Sequence, residues 1–303
     1  MDLAADFHRP AGRYFLSHSV GLRPKAADEI VRSRFSEPWA RGEAGLWDVW
    51  LAVIDDWRAA LGGFLNASPE DLCPQTNISS ALTKILFSLP ARRGRNRIVL
   101  CEDDFPTVGF VAEQARRSGY SVEFVPGGPA LADPDAWSRL AGDDVQLALA
   151  THVFSNSALV APVAEIVRRA RERGVFVVLD LAQSAGAVPL DLGAIRPDFA
   201  VGTSIKYLCG GPGAAFLYAD SEAAARASPV DVGWFSHENP FEFDIRRFRY
   251  AAGALRFWGG TPSVAPYATA LAGLGALSSV GSAAIAAHNE RLIGRLIEAL
   301  EPH

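Results

Sequence analysis

The sequence predicts an α/β fold in which a mixed, mostly parallel β-sheet is flanked by helices. Short apolar runs, each long enough for one buried strand, alternate through the middle of the chain with segments of helical periodicity. Glycines and prolines fall between these segments, and the sequence contains no internal repeat. A chain of 303 residues with 49% hydrophobic content can bury the large core that such a sheet needs. This alternation is typical of a doubly wound α/β domain.

The first regular element is a helix predicted over residues 46–65. Apolar residues recur there at steps of three and four and define one buried face: Trp47, Trp50, Ile54, Trp57, Leu61 and Phe64. Such an aromatic face is typical of core packing rather than of a ligand site. Residues 1–40, which precede it, show no regular pattern.

Strands and helices alternate after that first helix. The predicted strands cover residues 97–102, 122–125, 145–150, 175–179 and 199–202, with a further strand-like run at 215–218. The predicted helices cover residues 77–89, 108–117 and 162–173, and the last stretch, 264–301, also has a helical pattern. Pro162 suits the first turn of its helix and Gly174 suits the end, which supports those bounds.

The composition indicates a soluble globular protein whose partner is a small molecule. Acidic and basic residues are interspersed, the net charge is −5, and no long basic run offers a nucleic-acid surface. The N-terminus carries Asp2 and Asp6 instead of a basic region followed by an apolar run, so we expect neither a signal peptide nor a membrane span. The three cysteines have neither metal-ligand spacing nor a disulfide pattern, which favours a reducing compartment, the cytoplasm.

Chemically useful side chains follow several of the predicted strands. In chain order they are Phe105 after the strand at 97–102, Thr151 and His152 after 145–150, Asp180 after 175–179, and Lys206 after 199–202. In an open α/β sheet, ligands bind in the crevice outside the carboxyl ends of the strands. We therefore expect one pocket to gather these side chains.

The pair formed by Lys206 and Asp180 indicates pyridoxal 5'-phosphate (PLP). This cofactor needs a lysine amine that forms a Schiff base and a carboxylate that keeps the pyridine nitrogen protonated. A single lysine after a strand is usually a solvated loop residue, and a single aspartate there usually caps a turn. The two together, after neighbouring strands, favour the cofactor.

A phosphate site is predicted at the start of the helix over residues 77–89. Residues 77–81 read Asn-Ile-Ser-Ser-Ala, and a helix start of this kind offers free backbone N–H groups and hydroxyls. Ser79 alone would suit a simple N-cap, but beside Lys206 and Asp180 phosphate binding is favoured. The glycine-rich residues 210–213 suit either a tight turn or a close approach of backbone to ligand.

Two segments carry a recognisable family pattern. Residues 180–189 read DLAQSAGAVP, and residues 198–213 read DFAVGTSIKYLCGGPG. With these motifs the chain resembles the class V aminotransferase family of PLP-dependent enzymes, which has fold type I, and its motifs look closest to those of kynureninases. The similarity extends from residues 15–21 through 233–237 to 259–262, and so covers most of the chain.

The resemblance implies a role for each matching residue around the cofactor ring. Lys206 would form the Schiff base and later move protons at the substrate α-carbon. Asp180 would hold the pyridinium proton, and Gln183 would donate to the ring oxygen. Phe105 would stack on the face of the ring.

The resemblance also implies how the phosphate is held. Ile78 and Ser79, through their backbone, and the nearby Thr203 would bind it. Trp234 and Thr261 resemble positions that complete the neighbouring site across a dimer, so the resemblance implies a homodimer. Without the family pattern, Trp234 and Phe105 would be interpreted as core aromatics and Thr261 as a turn residue.

The domain organisation follows from the same resemblance. Residues 1–44 would form an N-terminal segment and residues 45–262 the large PLP-binding domain. Residues 263–303 would begin a small C-terminal domain that is incomplete in this sequence. In the family that domain contributes an arginine for the substrate carboxylate, and we assign no arginine of this chain to that role.

The expected function is an enzyme that binds PLP and acts on a small amino acid. The chain departs from the kynureninase pattern at Val108 and Ile205, where kynureninases usually carry an aspartate and a tyrosine. Transamination or related amino-acid chemistry, including β-elimination, is therefore predicted first, and kynureninase-like Cβ–Cγ hydrolysis is the alternative. A further alternative is a non-catalytic or truncated relative that only binds the cofactor.

Overall fold

The computed structural model describes residues 3–42 and 44–300. Seven strands form one sheet: β1 Leu72–Gln75, β2 Arg97–Cys101, β3 Ser121–Val125, β4 Val145–Thr151, β5 Phe176–Asp180, β6 Phe199–Thr203 and β7 Ala215–Ala219. Their order across the sheet is β1-β7-β6-β5-β4-β2-β3. Strand β7 runs antiparallel to both of its neighbours, and the other pairs are parallel. The predicted mixed, mostly parallel sheet is confirmed.

Ten α-helices surround the sheet in the described part of the chain. They are α1 Ala27–Val31, α2 Glu37–Arg41, α3 Leu46–Leu65, α4 Ile78–Leu86, α5 Pro106–Gln114, α6 Val163–Glu172, α7 Leu192–Ile195, α8 Ser221–Arg226, α9 Ala265–Ser278 and α10 Ser282–Leu300. Helices α3 and α9 pack on one face of the sheet, whereas α4, α5 and α8 pack on the other, so each face carries its own apolar core. Burial on both faces explains why β4, β5 and β7 are buried along their whole length.

Helix α3 buries the apolar face that its periodicity predicts. Trp57 is fully buried, and its ring lies 4.5 Å from that of Tyr267 on α9. The Tyr267 hydroxyl is 2.8 Å from the carbonyl oxygen of Gln75 and 3.1 Å from that of Ala215, to which it can donate. This contact fixes α9 over the junction of β1 and β7. The predicted start of a second domain at residue 263 stays a prediction, and α9 itself packs on the main core.

Three sequence predictions were wrong in detail. Residues 1–40 are not irregular throughout, because α1 and α2 form there with a π-helical turn at Arg32–Ser36 between them. Strand β1 was not predicted, since it is four residues long and contains Pro74; it lies at the edge of the sheet, where a proline is tolerated. The helix predicted over 264–301 breaks at Gly281, which has a positive φ of 87°.

No single helix in residues 3–42 and 44–300 is long and apolar enough to cross a membrane. Helices α9 and α10 reach the required length and hydropathy only when they are counted together across a 73° bend.

Candidate functional site

A cavity of about 340 Å³ lies at the carboxyl ends of the parallel strands. It is lined by Thr76, Asn77, Ile78, Ser79, Phe105, Thr107, Thr151, Val153, Ser155, Asp180, Ala182, Gln183, Thr203, Ile205, Lys206, Pro212 and Gly213. Among these residues, Lys206 and Asp180 are the two with ionisable side chains. The predicted pair therefore lies in the crevice that was expected outside the carboxyl ends of the strands.

Asp180 is the last residue of β5 and is buried at the base of the cavity wall. Its Oδ1 accepts a hydrogen bond of 2.8 Å from the backbone N–H of Ala182. Burial raises the pKa of the Asp180 carboxyl, while that hydrogen bond and the nearby Lys206 amine oppose the rise. A cation placed against this carboxyl would therefore stabilise its ionised form.

Lys206 lies in the turn that follows β6, where the N–H of Cys209 donates to its carbonyl oxygen. Its Nζ is 5.6 Å from the centre of the Phe105 ring, and no hydrogen bond or ion pair holds this amine within the described residues. Burial lowers the pKa of Lys206, and the Asp180 charge opposes that shift. A half-buried amine of lowered pKa is a better nucleophile at neutral pH than a solvated lysine.

The N-terminus of α4 forms a second wall of the cavity. Asn77 is the N-cap, because its Oδ1 accepts from the backbone N–H of Ser80 at 2.8 Å. The backbone N–H groups of Ile78 and Ser79 lie in the first helical turn, where no intrahelical acceptor exists. The interpretation of Ser79 as a simple cap is therefore wrong, and the wall offers donors suited to an anion.

Phe105 immediately precedes α5 and borders the cavity beside Lys206. Its side chain is 52% exposed, so it is not the core aromatic that it would be without the family pattern. Thr203, the last residue of β6, also lines the cavity, and its Oγ1 lies 3.4 Å from the backbone nitrogen of Ile205. His152 is the exception among the strand-end residues, because it does not line the cavity; burial lowers its pKa to about 4.

Gln183 connects the cavity to the N-terminal segment. Its Nε2 donates to the carbonyl oxygen of His18 at 3.1 Å. In the same segment, the N–H of Gly21 donates to the carbonyl oxygen of Ile205 at 2.7 Å. Residues 18–21 therefore hold both the amide of Gln183 and the backbone that carries Lys206. This contact was not predicted from the sequence.

Gly21→Ala is expected to detach this segment from the lysine turn. A Cβ at Gly21 would lie 2.0 Å from the carbonyl oxygen of Lys206, and a backbone atom cannot move aside cheaply. We expect the free energy of unfolding to fall by about 1–3 kcal/mol, as measured by urea denaturation.

Gly12→Ala is the matched control for the Gly21 substitution. It lies in the same segment, and a Cβ there would meet nothing within 4 Å. Equal stability changes in the two variants would contradict the proposed packing of residues 18–21 on the lysine turn.

The polar groups of the cavity suit the PLP that the sequence predicts. Thr151 Oγ1 and Gln183 Oε1 are buried and have no hydrogen-bond partner within residues 3–42 and 44–300. Buried polar atoms are rarely left unpaired, so unpaired atoms in a cavity wall indicate a polar occupant. The residues present fit the cofactor: N–H groups of α4 for a phosphate, Lys206 for an aldehyde carbon and Asp180 for a ring nitrogen.

Two predicted site residues lie outside this cavity. Trp234 is half-buried in a cluster of aromatic rings and lines a second cavity of about 280 Å³. Thr261 is exposed and lines a third cavity of about 190 Å³. Neither residue reaches the Lys206 cavity of its own chain. Their assignment to a neighbouring site stays a prediction.

Several lining residues were not predicted. Thr76 directly follows β1, and it was missed because that strand was missed. Thr107 lines the cavity one position before Val108, whose side chain is buried in the core. Ile205 borders the cavity, so this departure from the kynureninase pattern changes the wall itself. The position of Thr107 could have been inferred from its place after Phe105.

Comparison with known proteins gives matches over most of the chain. A family model described as aminotransferase class-V matches residues 50–303. The chain is 32% identical to a kynureninase of Deinococcus radiodurans over 98% of this chain and 73% of the relative, and 26% identical to a kynureninase of Pseudomonas fluorescens over 99% and 73%. A solved structure of the cystine C-S lyase C-DES with its product cysteine persulfide superimposes with a TM-score of 0.80 at 26% identity, over 89% of this chain and 73% of that one.

Proposed function

The chain belongs to the class V aminotransferase family of PLP-dependent enzymes, and we propose that it acts on a small amino acid through Lys206. The observation that carries this proposal is the cavity in which the half-buried amine of Lys206 and the buried carboxyl of Asp180 interact beside the free N–H groups of α4. When bound, PLP supplies an electron sink that stabilises negative charge at the substrate α-carbon.

Different residues of the cavity would bind different parts of the cofactor. The N–H groups of Ile78 and Ser79 would bind the cofactor phosphate, with Thr203 close by at the end of β6. Asp180 would keep the pyridine nitrogen protonated, and the free Nε2 hydrogen of Gln183 would face the ring oxygen. Phe105 would cover one face of the ring and exclude water there.

Lys206 would serve as both the attachment point and the proton carrier. Its lowered pKa leaves more of the amine neutral at neutral pH, which favours attack on an aldehyde carbon. Once a substrate amine has taken its place, the freed lysine amine would accept a proton from the substrate α-carbon.

The test of the proposal is a titration of the purified protein, loaded with PLP, against a panel of amino acids. We expect at least one amino acid to change the visible absorbance of the bound cofactor and to be consumed in a time course. Protein reduced beforehand with borohydride, in which the lysine amine is blocked, is the control. Absence of any spectral change across the panel would refute the proposed function.

Kynureninase-like hydrolysis is the second candidate, and the relatives at 32% and 26% identity favour it. Hydrolysis of the Cβ–Cγ bond of kynurenine would release alanine and anthranilate. Transamination would instead release a keto acid and leave the substrate's amino group on the cofactor, whereas β-elimination would release the β-substituent, a keto acid and ammonia. Product analysis in the same time course therefore separates the three reactions.

A homodimer and a cytoplasmic location are part of the proposal. The loop that follows Trp234 exposes four large apolar side chains, Phe241, Phe243, Ile245 and Phe248, of which Ile245 is 96% exposed. Exposed apolar patches of this kind often mark protein interfaces. A second copy that covers this loop would also bring Trp234 and Thr261 towards a neighbouring cavity.

A further inference from the structure

A second carboxyl group lies behind the cavity wall, at Asp104 in the turn between β2 and α5. Its Oδ2 accepts a hydrogen bond of 2.8 Å from the backbone N–H of Cys101. Its Oδ1 is buried and has no hydrogen-bond partner within the described residues. The next residue is Phe105, which borders the cavity. Asp104 is thus fixed by one oxygen, and its other oxygen is unused.

The unused oxygen of Asp104 adjoins an unused hydroxyl. Thr151, the last residue of β4, lines the cavity, and its Oγ1 is also buried without a partner. The Thr151 hydroxyl is among the groups that favour the ionised form of the Asp104 carboxyl, so the two side chains are neighbours. Within residues 3–42 and 44–300, both Asp104 Oδ1 and Thr151 Oγ1 lack a hydrogen-bond partner. In the sheet, Thr151 pairs with Asp180. Three oxygen-bearing side chains therefore follow one another from the interior to the cavity.

The surroundings of Asp104 favour its neutral form. Burial is the main cause that raises the pKa of its carboxyl, to about 7, and the charges of Asp180 and Asp103 raise it further. The Thr151 hydroxyl and the Cys101 N–H act in the opposite direction. When Asp180 is ionised against a bound cation, its negative charge makes ionisation of the neighbouring Asp104 unfavourable.

We propose that Asp104 is a positioning residue for the cofactor wall: its protonated carboxyl donates a hydrogen bond to Thr151 Oγ1 and thereby fixes the Thr151 hydroxyl as a donor into the cavity. The oxygen of Thr151 accepts from Asp104, so its own proton points towards Asp180 or a bound ring. Neutral Asp104 also leaves Asp180 as the one charged acid in the wall. This inference rests on the proposed function, because it assigns a role in the PLP site.

The test measures the affinity of the apo protein for PLP by absorbance titration, from about pH 6 to 9. Asp104→Asn retains an oxygen for the Cys101 N–H and supplies a permanent N–H donor to Thr151. Asp104→Ala and Thr151→Val remove the two ends of the proposed hydrogen bond. Asp198→Asn is the matched control, since Asp198 is a partly buried acid outside this cavity whose carboxylate accepts from the backbone N–H of Val177.

At the acidic end, Asp104→Asn is expected to bind PLP within about twofold of the wild type, whereas Asp104→Ala and Thr151→Val each weaken binding about tenfold. The double variant Asp104→Ala/Thr151→Val is expected to lose about tenfold as well, because both changes remove one interaction. As pH rises through about 7, the wild type loses affinity because Asp104 ionises, and Asp104→Asn loses less. Titrations of the cofactor phosphate and of Lys206 are common to both proteins and cancel in the comparison.

Three results would overturn the inference. One is that Asp104→Asn binds PLP as weakly as Asp104→Ala, which would mean that the carboxylate is the working form. Another is that the pH profiles of PLP affinity coincide for the wild type and Asp104→Asn. The third is that the fold losses of affinity in Asp104→Ala and Thr151→Val multiply in the double variant. If the wild type itself binds no PLP at any pH, the proposed function fails first, and this inference fails with it. Thermal unfolding of each variant identifies any that does not fold. If Asp104→Ala does not fold, the comparison of Asp104→Asn and Thr151→Val with the wild type tests the inference.

Discussion

Lys206→Ala is expected to abolish the covalent attachment of PLP completely. The chain contains three lysines, Lys25, Lys84 and Lys206, so borohydride reduction can trap the cofactor at few places. Lys84 is buried, and its Nζ donates to the carbonyl oxygens of Phe257 and Trp258. Only Lys206 combines access to the cavity with an unpaired amine among the described residues. Mass spectrometry of the reduced and digested protein checks the site of attachment.

Loss of the lysine is also expected to lower turnover by several orders of magnitude, since it removes both the attachment point and the proton carrier. Lys25→Ala is the matched control, because Lys25 is exposed and does not line the cavity. A borohydride-stable adduct that survives Lys206→Ala would reject the assignment. The assignment would also be rejected if, in the wild type, the reduced cofactor were found on a peptide that contains Lys25 or Lys84.

Asp180→Asn is expected to retain the cofactor and to lower turnover about 10²–10³-fold. The amide keeps an oxygen for the Ala182 N–H, so the local backbone is preserved. It carries no charge, and it therefore does not hold a proton on the pyridine nitrogen, which weakens the electron sink. Steady-state kinetics and the absorbance of the bound cofactor measure the two effects separately.

The stability of the apo protein distinguishes this functional loss from misfolding. Because burial raises the pKa of Asp180 in the folded state, the folded state binds more protons than the unfolded one above the ordinary pKa of an aspartate. Ionisation of Asp180 therefore lowers the free energy of unfolding as pH rises. Asp180→Asn cannot ionise, so it avoids this loss of stability at neutral pH. We expect an unfolding temperature no lower than that of the wild type.

Asp198→Asn is the control for a partly buried acid outside the cavity. Burial raises its pKa too, and its carboxylate accepts from the backbone N–H of Val177. Turnover of Asp198→Asn should follow the amount of folded protein alone. Near-normal turnover of Asp180→Asn would refute its role at the ring nitrogen.

The sequence predicted the parallel part of the sheet well because its strands are buried on both faces. Such strands appear as continuous apolar runs, and β2, β4, β5 and β6 each match a predicted run to within two residues at either end. Strand β1 has no such run, since Pro74 and Gln75 make up half of it. Its place in the sheet depends on pairing with β7, which lies about half the chain away.

The cavity residues were predicted where they follow a strand or begin a helix. Asp180, Thr203 and Lys206 belong to this class, because the topology alone brings strand ends to one edge. Gln183 was placed in the cavity by its motif, but its hydrogen bond to His18 was not foreseen. Asp104 was missed for a similar reason: its neighbour Thr151 comes from another strand, and no spacing along the chain reveals that contact.

The hydrogen bond between Gln183 and His18 has a consequence for how the protein matures during synthesis. The two residues are 165 positions apart, so the N-terminal segment leaves the ribosome long before its binding surface exists. At typical elongation rates this delay is about 10–30 s. During that time His18 and Gly21 have no partners at the lysine turn, and the neighbouring Phe15 and Leu16 are exposed, as they are in the final fold. The cofactor wall can therefore be completed only after Gln183 and Lys206 have been synthesised, and exposure of this segment to chaperones precedes any capacity to bind PLP.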